Sequence, residues 1–278
     1  MPAAFLGSRR LVRVSGKDCA DFLQGLITTD VATLTDTARP AALLTPQGKI
    51  LFDFLIWRDG DSFLIDIDDA NVEAFVKRLS LYKLRAAVTI EALPTEGVTV
   101  FWDEGDVDGA VVDGRFLTAG VRVLRKPGHH GDGPESAYRA QRIAHGIVMS
   151  GFDYALQDAF PHDVLMDVNE GVGFRKGCFI GQEVVSRMKH RGTARKRPVT
   201  VSAAAPLPPT GTELTAGGKP IGTLGTVIGP QALAIVRIDR VGEAMASGAL
   251  ILAGDVPVTL SLPAWSGLTF PDSANAES

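Results

Sequence analysis

Two cysteines in 278 residues are too few for a disulfide framework. Both thiols are expected to be free in a reducing compartment, and the location expected from them is cytoplasmic. No apolar run approaches the ~20 residues of a membrane-spanning helix. Residues Met1 to Arg10 lack a long apolar stretch after a basic start, so no secretory signal is expected. Aromatic side chains make up only 7% of the chain, which leaves few flat faces on which nucleic-acid bases could stack. His129 and His130 stand in a Gly/Pro-rich connection without acids and cysteines at ligand spacing, so no metal site is expected there. A net charge of −4 argues against a general coat for polyanions.

What remains is a globular chain with 45% hydrophobic and 22% charged residues, long enough for two or three small modules. Arg10 to Ser15 reads as a strand, and Ser15 as the cap of a helix from Lys17 to Leu26. Cys19, Phe22, Leu23 and Leu26 form its buried stripe, which makes Cys19 core filling. Ala41 to Leu44 and Ile50 to Trp57 read as strands around the turn Thr45-Pro46-Gln47-Gly48. Ser62 to Ile67 is a further strand, Ala70 to Leu81 a helix, and Arg85 to Ala92 and Val98 to Trp102 two more strands. This order predicts an α+β layer with a mainly antiparallel sheet. After the loop Pro127 to Pro134, a helix runs to about His145 and stops at Gly146. From Arg197 onward, short strands punctuated by Pro and Gly predict a small β-barrel or sandwich. The expected modules are 1–130, 131–196 and 197–265, followed by a frayed tail at 266–278.

Two features carry chemistry. The first is Lys176-Gly177-Cys178-Phe179-Ile180-Gly181-Gln182-Glu183, at the head of a basic window. Between Phe174 and Arg197 there are eight Lys or Arg residues and one acid, Glu183, so the window carries +7 and the rest of the chain −11. Arg175, Lys176 and Arg187 could stabilise a thiolate at Cys178. A helix starting near Gln182 would add the positive end of its dipole. The competing reading makes Cys178 a small residue buried in a tight turn. The second feature is Asp53 in the apolar run Ile50 to Trp57. A carboxylate there needs a hydrogen-bonding partner or a cavity, where it could read a ligand amine or amide, or move a proton. Asp66, in the next strand, alternates with its neighbours and reads as ordinary.

The Lys176–Glu183 motif, followed by Arg187 and by Arg191-Gly192, resembles the signature of the folate-binding YgfZ-type proteins. These are related to the glycine-cleavage T protein, an aminomethyltransferase. Phe22-Leu23-Gln24-Gly25-Leu26-Ile27-Thr28-Thr29-Asp30, Thr45-Pro46-Gln47-Gly48-Lys49-Ile50 and the region Arg142 to Pro161 extend the likeness over most of the chain. The resemblance implies an α+β, T-protein-like folate-binding fold with a C-terminal β-barrel, arranged around a cavity for tetrahydrofolate. It further implies a role in assembly or repair of iron–sulfur (4Fe–4S) proteins, including a tRNA-modifying enzyme. Cys178 and Lys176 match its functional positions. The residues expected around the folate or its anionic tail are Asp53, Arg142, Gly177, Gly181, Gln182, Glu183, Arg187 and Arg191. In the aminomethyltransferase branch a tyrosine lies near the folate. Here that position is Ser150, or the tyrosine is displaced to Tyr154, and the acid after it is nearest Gln157 or Asp158. The aminomethyltransferases also lack the lysine-glycine-cysteine motif.

Three functions follow from these features. The first is a folate-binding accessory factor whose partners are iron–sulfur enzymes or cluster-assembly proteins, with Cys178 as thiolate. The second is a tetrahydrofolate-dependent aminomethyl or one-carbon transferase with Asp53 as acid or base. The third, RNA docking on the basic window, lacks the interleaved aromatics that base stacking needs.

Overall fold

In the computed structural model, which describes residues 2–103 and 105–271, the first half of the chain forms one antiparallel sheet. Its strands are β1 (Ala3–Ser15), β2 (Arg39–Leu44), β3 (Ile50–Asp59), β4 (Ser62–Asp68), β5 (Thr89–Trp102), β6 (Val111–Val112) and β7 (Val123–Pro127), ordered β2-β3-β4-β1-β5-β7-β6. The hairpin at residues 45–48 forms as its Pro and Gly predict, with Gly48 N donating to Thr45 O at 2.9 Å. Two strand expectations change. β1 starts at Ala3 rather than Arg10, because Ala3, Ala4 and Leu6 are buried against β5. The two strands expected at 85–92 and 98–102 are one continuous β5, which pairs along β1 through register shifts on either side of Arg10.

Helices α1 (Cys19–Gln24) and α2 (Val72–Lys83) cover one face of this sheet. Cys19 and Leu23 of α1 and Phe75 and Leu79 of α2 join Phe52, Phe54 and Ile56 of β3 in a single core. Ser15 does not cap α1. Asp18 holds the cap position, yet its carboxylate accepts from Ala87 N at 2.7 Å and leaves the helix end alone.

α3 (Gly114–Thr118) lies between β6 and β7, and α4 (Glu135–His145) follows β7 and stops at Gly146 as its sequence predicts. The chain from 146 to 181 is irregular apart from a 3-10 turn at Pro161–Val164, and it leads into α5 (Gln182–Arg191). The C-terminal sheet follows, with β8 (Lys196–Ser202), β9 (Glu213–Ala216), β10 (Lys219–Ile228), β11 (Gln231–Arg237), β12 (Ile251–Ala253), β13 (Val256–Pro257) and β14 (Thr259–Ser261). Val199 and Val201 of β8, Ile251 and Ala253 of β12, and Leu260 of β14 share one core, so the sheet wraps around a common interior as a small barrel.

α6 (Ile238–Ser247) is not expected from the sequence, since it follows β11 without a break, with Arg237 ending the strand and capping the helix. Its buried Ile238, Val241 and Gly242 keep the i, i+3, i+4 spacing of a helix face. The expected tail at 266–278 is also revised. Phe270 packs on the barrel core, and Pro271 lies so close to α6 that a side chain at Gly242 would strike its carbonyl. Residues 272–278 lie outside the described ones.

Candidate functional site

The face of β3 opposite the helices carries Asp53, and the irregular segment after α4 covers it. Ser150 Oγ donates to Asp53 Oδ1 at 2.5 Å, and Tyr154 OH donates to Asp53 Oδ2 at 2.8 Å. Both hydroxyls come from one tight loop, closed by Gly151 N donating to Tyr154 O at 2.9 Å. The partner that Asp53 needed in an apolar strand is therefore present, and it is a pair of donors. Burial and the neighbouring carboxylate push the Tyr154 phenol well above its usual range, which keeps it a hydrogen-bond donor. Asp53 and Tyr154 line a narrow cavity of about 40 Å³, with Leu55, Met149 and Met166 among its apolar walls and Trp265 from beyond the barrel. Ser150 and Tyr154, the two positions expected to stand for the related branch's tyrosine, both bond Asp53. Gln157 and Asp158 are exposed and do not line this cavity.

Asp66 is not ordinary. It is completely buried and accepts from Arg9 Nε at 2.7 Å and from Arg125 Nε at 2.9 Å. Burial alone would raise its pKa. Arg125 and Arg9 overcome this and hold the carboxyl below the usual range. The network continues through Arg125 to Asp113 at 3.2 Å, and from Asp113 to Arg115, whose Nη2 also donates to Tyr138 OH at 3.1 Å. Its two ends, Arg9 and Arg115, line the Asp53 cavity. The alternation of β4 hid this role, because both faces of the sheet are covered here.

Arg142 is not at the cavity. Its guanidinium is fully buried between the α4 end and the barrel, donating to Asp153 Oδ2 at 2.6 Å, Thr226 Oγ1 at 2.8 Å and Ile147 O at 3.2 Å. Asp153 also accepts from Met149 N at 2.8 Å and from Thr226 N at 2.7 Å. Arg142 is therefore a structural tie between the middle segment and β10, and the expectation that it binds cofactor is withdrawn.

The cysteine motif forms a separate surface site. Gly177, with φ of +98° and open space around it, turns the chain, and Cys178 is exposed rather than buried in the turn. Phe179 anchors the loop in a core shared with Val164 and Met166, residues that also line the cavity. Lys176 reaches inward, and its Nζ donates to Gln24 O at 2.5 Å and Ile27 O at 2.7 Å, past the end of α1. Burial lowers its pKa to about 8 although Asp30 nearby favours the charged form. Two of the ammonium's three donors are thus taken up by backbone carbonyls.

α5 starts after Cys178, with Gly181 at its cap. Gly181 has φ of +78°, and a Cβ there would lie 2.5 Å from Thr45 O. The absence of a side chain lets α5 press against the β2–β3 hairpin. Gln182 turns back, its Oε1 accepting from Phe179 N at 3.3 Å. Glu183 pairs with Arg187 at 2.6 Å on the exposed face, and Arg191 is exposed at the helix end. The window's charge is partly internal, since Arg197 is buried and paired with Asp167 at 2.7 Å. Arg175, Lys189, Arg191, Arg195 and Lys196 have no ion-pair partner among the described residues.

Of the residues expected around a folate, the structure brings only Asp53 to the cavity. Gly177, Gly181, Gln182, Glu183, Arg187 and Arg191 belong to the thiol loop and α5. Arg9 and Arg115 escaped the sequence reading, and their only signal is a cation beside apolar strand or helix positions. Among the described residues no group of three or more His, Cys, Asp or Glu is placed to hold a metal ion.

Residues 195–268 match the family model described as CAF17, C-terminal beta-barrel domain. The chain is 36% identical over 214 residues to the iron–sulfur cluster assembly factor IBA57 homolog, mitochondrial, of Pyricularia oryzae, covering 69% of this chain and 55% of that protein. It is 31% identical over 281 residues to the mouse iron–sulfur cluster assembly factor IBA57, mitochondrial, covering 85% of this chain and 77% of the relative. The chain spans about half the length of several of the fungal relatives it matches. The solved glycine cleavage system aminomethyltransferase T of Bartonella henselae superposes over 97% of this chain and 87% of its own, with a TM-score of 0.68 and 15% identity. The fold is thus T-protein-like with a C-terminal β-barrel. The expected cytoplasmic location is corrected, because these relatives carry the word mitochondrial in their names. Two free thiols indicate a reducing milieu and cannot tell one such compartment from another.

Proposed function

The chain belongs to the family of iron–sulfur cluster assembly factors named IBA57, and from that premise we propose that it is a folate-binding accessory factor in the assembly or repair of 4Fe–4S proteins. The finer likeness to the YgfZ-type branch, with tRNA-modifying enzymes among the clients, is part of the same reading. The observation that carries it is the exposed thiol of Cys178 on a loop fixed by Lys176 and Phe179, beside unpaired cations of α5. One thiol cannot hold a cluster by itself, so the cluster is cargo shared with ligands from a partner or a second copy. The cations beside it suit an acidic partner surface.

Tetrahydrofolate suits the Asp53 cavity. The cavity, about 40 Å³ as it stands, must widen to admit the ring, and its apolar walls surround a carboxylate ordered by two hydroxyl donors, the lining of a small-molecule site. Asp53 would accept N–H groups of the ring, while Leu55 and Met149 would pack on its faces. A bound reduced folate would supply one-carbon or redox chemistry. The protein's own part is to orient the ring and, through Tyr154, keep Asp53 fixed.

The test uses cells lacking this protein, with activity and cluster content of a 4Fe–4S enzyme as readouts. Wild type should restore both, and Cys178→Ala should restore neither. Full rescue by Cys178→Ala would sink the reading. A deletion without any cluster defect would favour the one-carbon transferase, for which the cavity-facing Asp53 is the supporting observation. Purified protein should then turn over an aminomethyl or methyl donor, and Asp53→Asn should abolish it.

A further inference from the structure

The buried network at the cavity has an excess of positive charge. It holds three guanidinium groups, Arg9, Arg115 and Arg125, against two carboxylates, Asp66 and Asp113. Arg125 engages all three of its nitrogens inside the network. Arg9 uses Nε and Nη2, both on Asp66, and Arg115 uses Nε and Nη2, on Asp113 and Tyr138. The Nη1 groups of Arg9 and Arg115 make no hydrogen bond among the described residues, and neither is sealed from solvent. Arg9 is more than nine-tenths buried, so its free donors have the cavity as their outlet.

A charged donor held in such a place favours an oxygen acceptor and rejects another N–H group. Asp53, in the same cavity, makes the opposite demand. We infer that Arg9 and Arg115 form an oxygen-reading subsite of the Asp53 cavity, which selects ligands that carry a carbonyl oxygen next to their N–H donors. This rests on the folate reading and sharpens it. The pyrimidinone end of a reduced pterin offers N–H groups along one edge and a 4-oxo acceptor beside them. Replacing that oxygen by an amino group puts donor against donor.

The experiment is calorimetric titration of the full chain, without oxygen, with tetrahydrofolate and with 4-amino-4-deoxytetrahydrofolate. The two ligands differ at ring position 4 and at N3, which carries a proton in the 4-oxo compound and none in the neutral 4-amino one. The arginine variants therefore separate the oxygen's share from that of the N–H facing Asp53. The 4-amino compound should bind on the order of a hundredfold more weakly, the direction in which a hydrogen-bonding site rejects a mismatched group. Arg9→Met, which leaves Asp66 paired with Arg125, and Arg115→Met should each shrink that ratio below about tenfold. Equal binding of the two ligands to wild type would overturn the subsite while the folate reading stands. Binding of neither would overturn the folate reading and the subsite with it. If the methionine variants fail to fold, Arg9→Lys and Arg115→Lys, which keep the charge and lose the guanidinium fork, take their place with the same expected shrinkage.

Discussion

Lys176 and Gln24 clasp each other across 152 positions of sequence. Lys176 Nζ donates to Gln24 O at 2.5 Å, and Gln24 Nε2 donates to Lys176 O at 3.3 Å. The same Gln24 side chain accepts from Val31 N at 2.8 Å and donates to Asp30 at 2.9 Å, so the turn after α1 and the thiol loop form one unit. The position of Cys178 therefore depends on a residue of the N-terminal module. Lys176 acts there as a positioning residue.

The clasp has a pH signature. Burial brings Lys176 down to about 8, below the ~10.4 of a lysine in an unfolded chain. Between those values the unfolded chain holds a proton that the folded chain has lost, so stability at this site rises with pH. It is flat below about pH 8 and again above about 10.4. The difference in Tm between wild type and Lys176→Met should therefore grow in favour of wild type from pH 8 to pH 10. Melting curves at three pH values in that window check it, and a constant difference would refute it.

The two thiols should separate cleanly by reactivity. Cys178 is exposed, whereas Cys19 is 4% exposed and burial pushes its thiol pKa up. A thiol reagent added to native protein should label one equivalent rapidly and the second only after denaturant. In Cys178→Ala the rapid equivalent should vanish while the slow one remains. Rapid loss of both thiols in the wild type would mean that α1 opens readily.

Much of this arrangement was legible in the sequence. The turn at residues 45–48, the stop at Gly146 and the buried stripe of α1 follow from local rules, because turn and cap chemistry is set within a few residues. Asp53 stood out because a carboxylate in an apolar strand is costly without a partner. Asp66 did not, although it is more deeply buried. Its partners Arg9 and Arg125 come from β1 and β7, and no local pattern records strand neighbours so far apart. The same distance hides the reach of Lys176 to Gln24. The basic window misled in the opposite sense, since a count of charges cannot tell an exposed Arg191 from a buried Arg197.

Arg142 and Asp153 provide a test of structure against ligand binding. Their 2.6 Å pair is fully buried, and removing one partner strands the other's charge. Arg142→Met should cost about 3–5 kcal/mol in urea unfolding. Asp153→Ala should cost at least as much, because the N–H groups of Met149 and Thr226 also lose their acceptor. Where the Arg142→Met protein remains folded, its affinity for tetrahydrofolate should match wild type. A selective loss of affinity with normal stability would return Arg142 to the binding site.

The glycines of the motif should differ in the same manner. Both Gly177 and Gly181 have positive φ, so alanine strains the backbone at either position by about 1–3 kcal/mol. At Gly177 nothing lies within 4 Å of a new Cβ, and strain is the whole cost. At Gly181 the Cβ would also lie 2.5 Å from Thr45 O, a backbone atom that can move only if the hairpin moves. Gly181→Ala should therefore be the more destabilising in chemical denaturation, and it should loosen α5 from residues 45–48. Hydrogen exchange of the Gly48 amide, bonded to Thr45 O at 2.9 Å, should accelerate in Gly181→Ala and not in Gly177→Ala. The reverse order would mean that the turn at Gly177, rather than the seat of α5 on the hairpin, holds the cysteine loop in place.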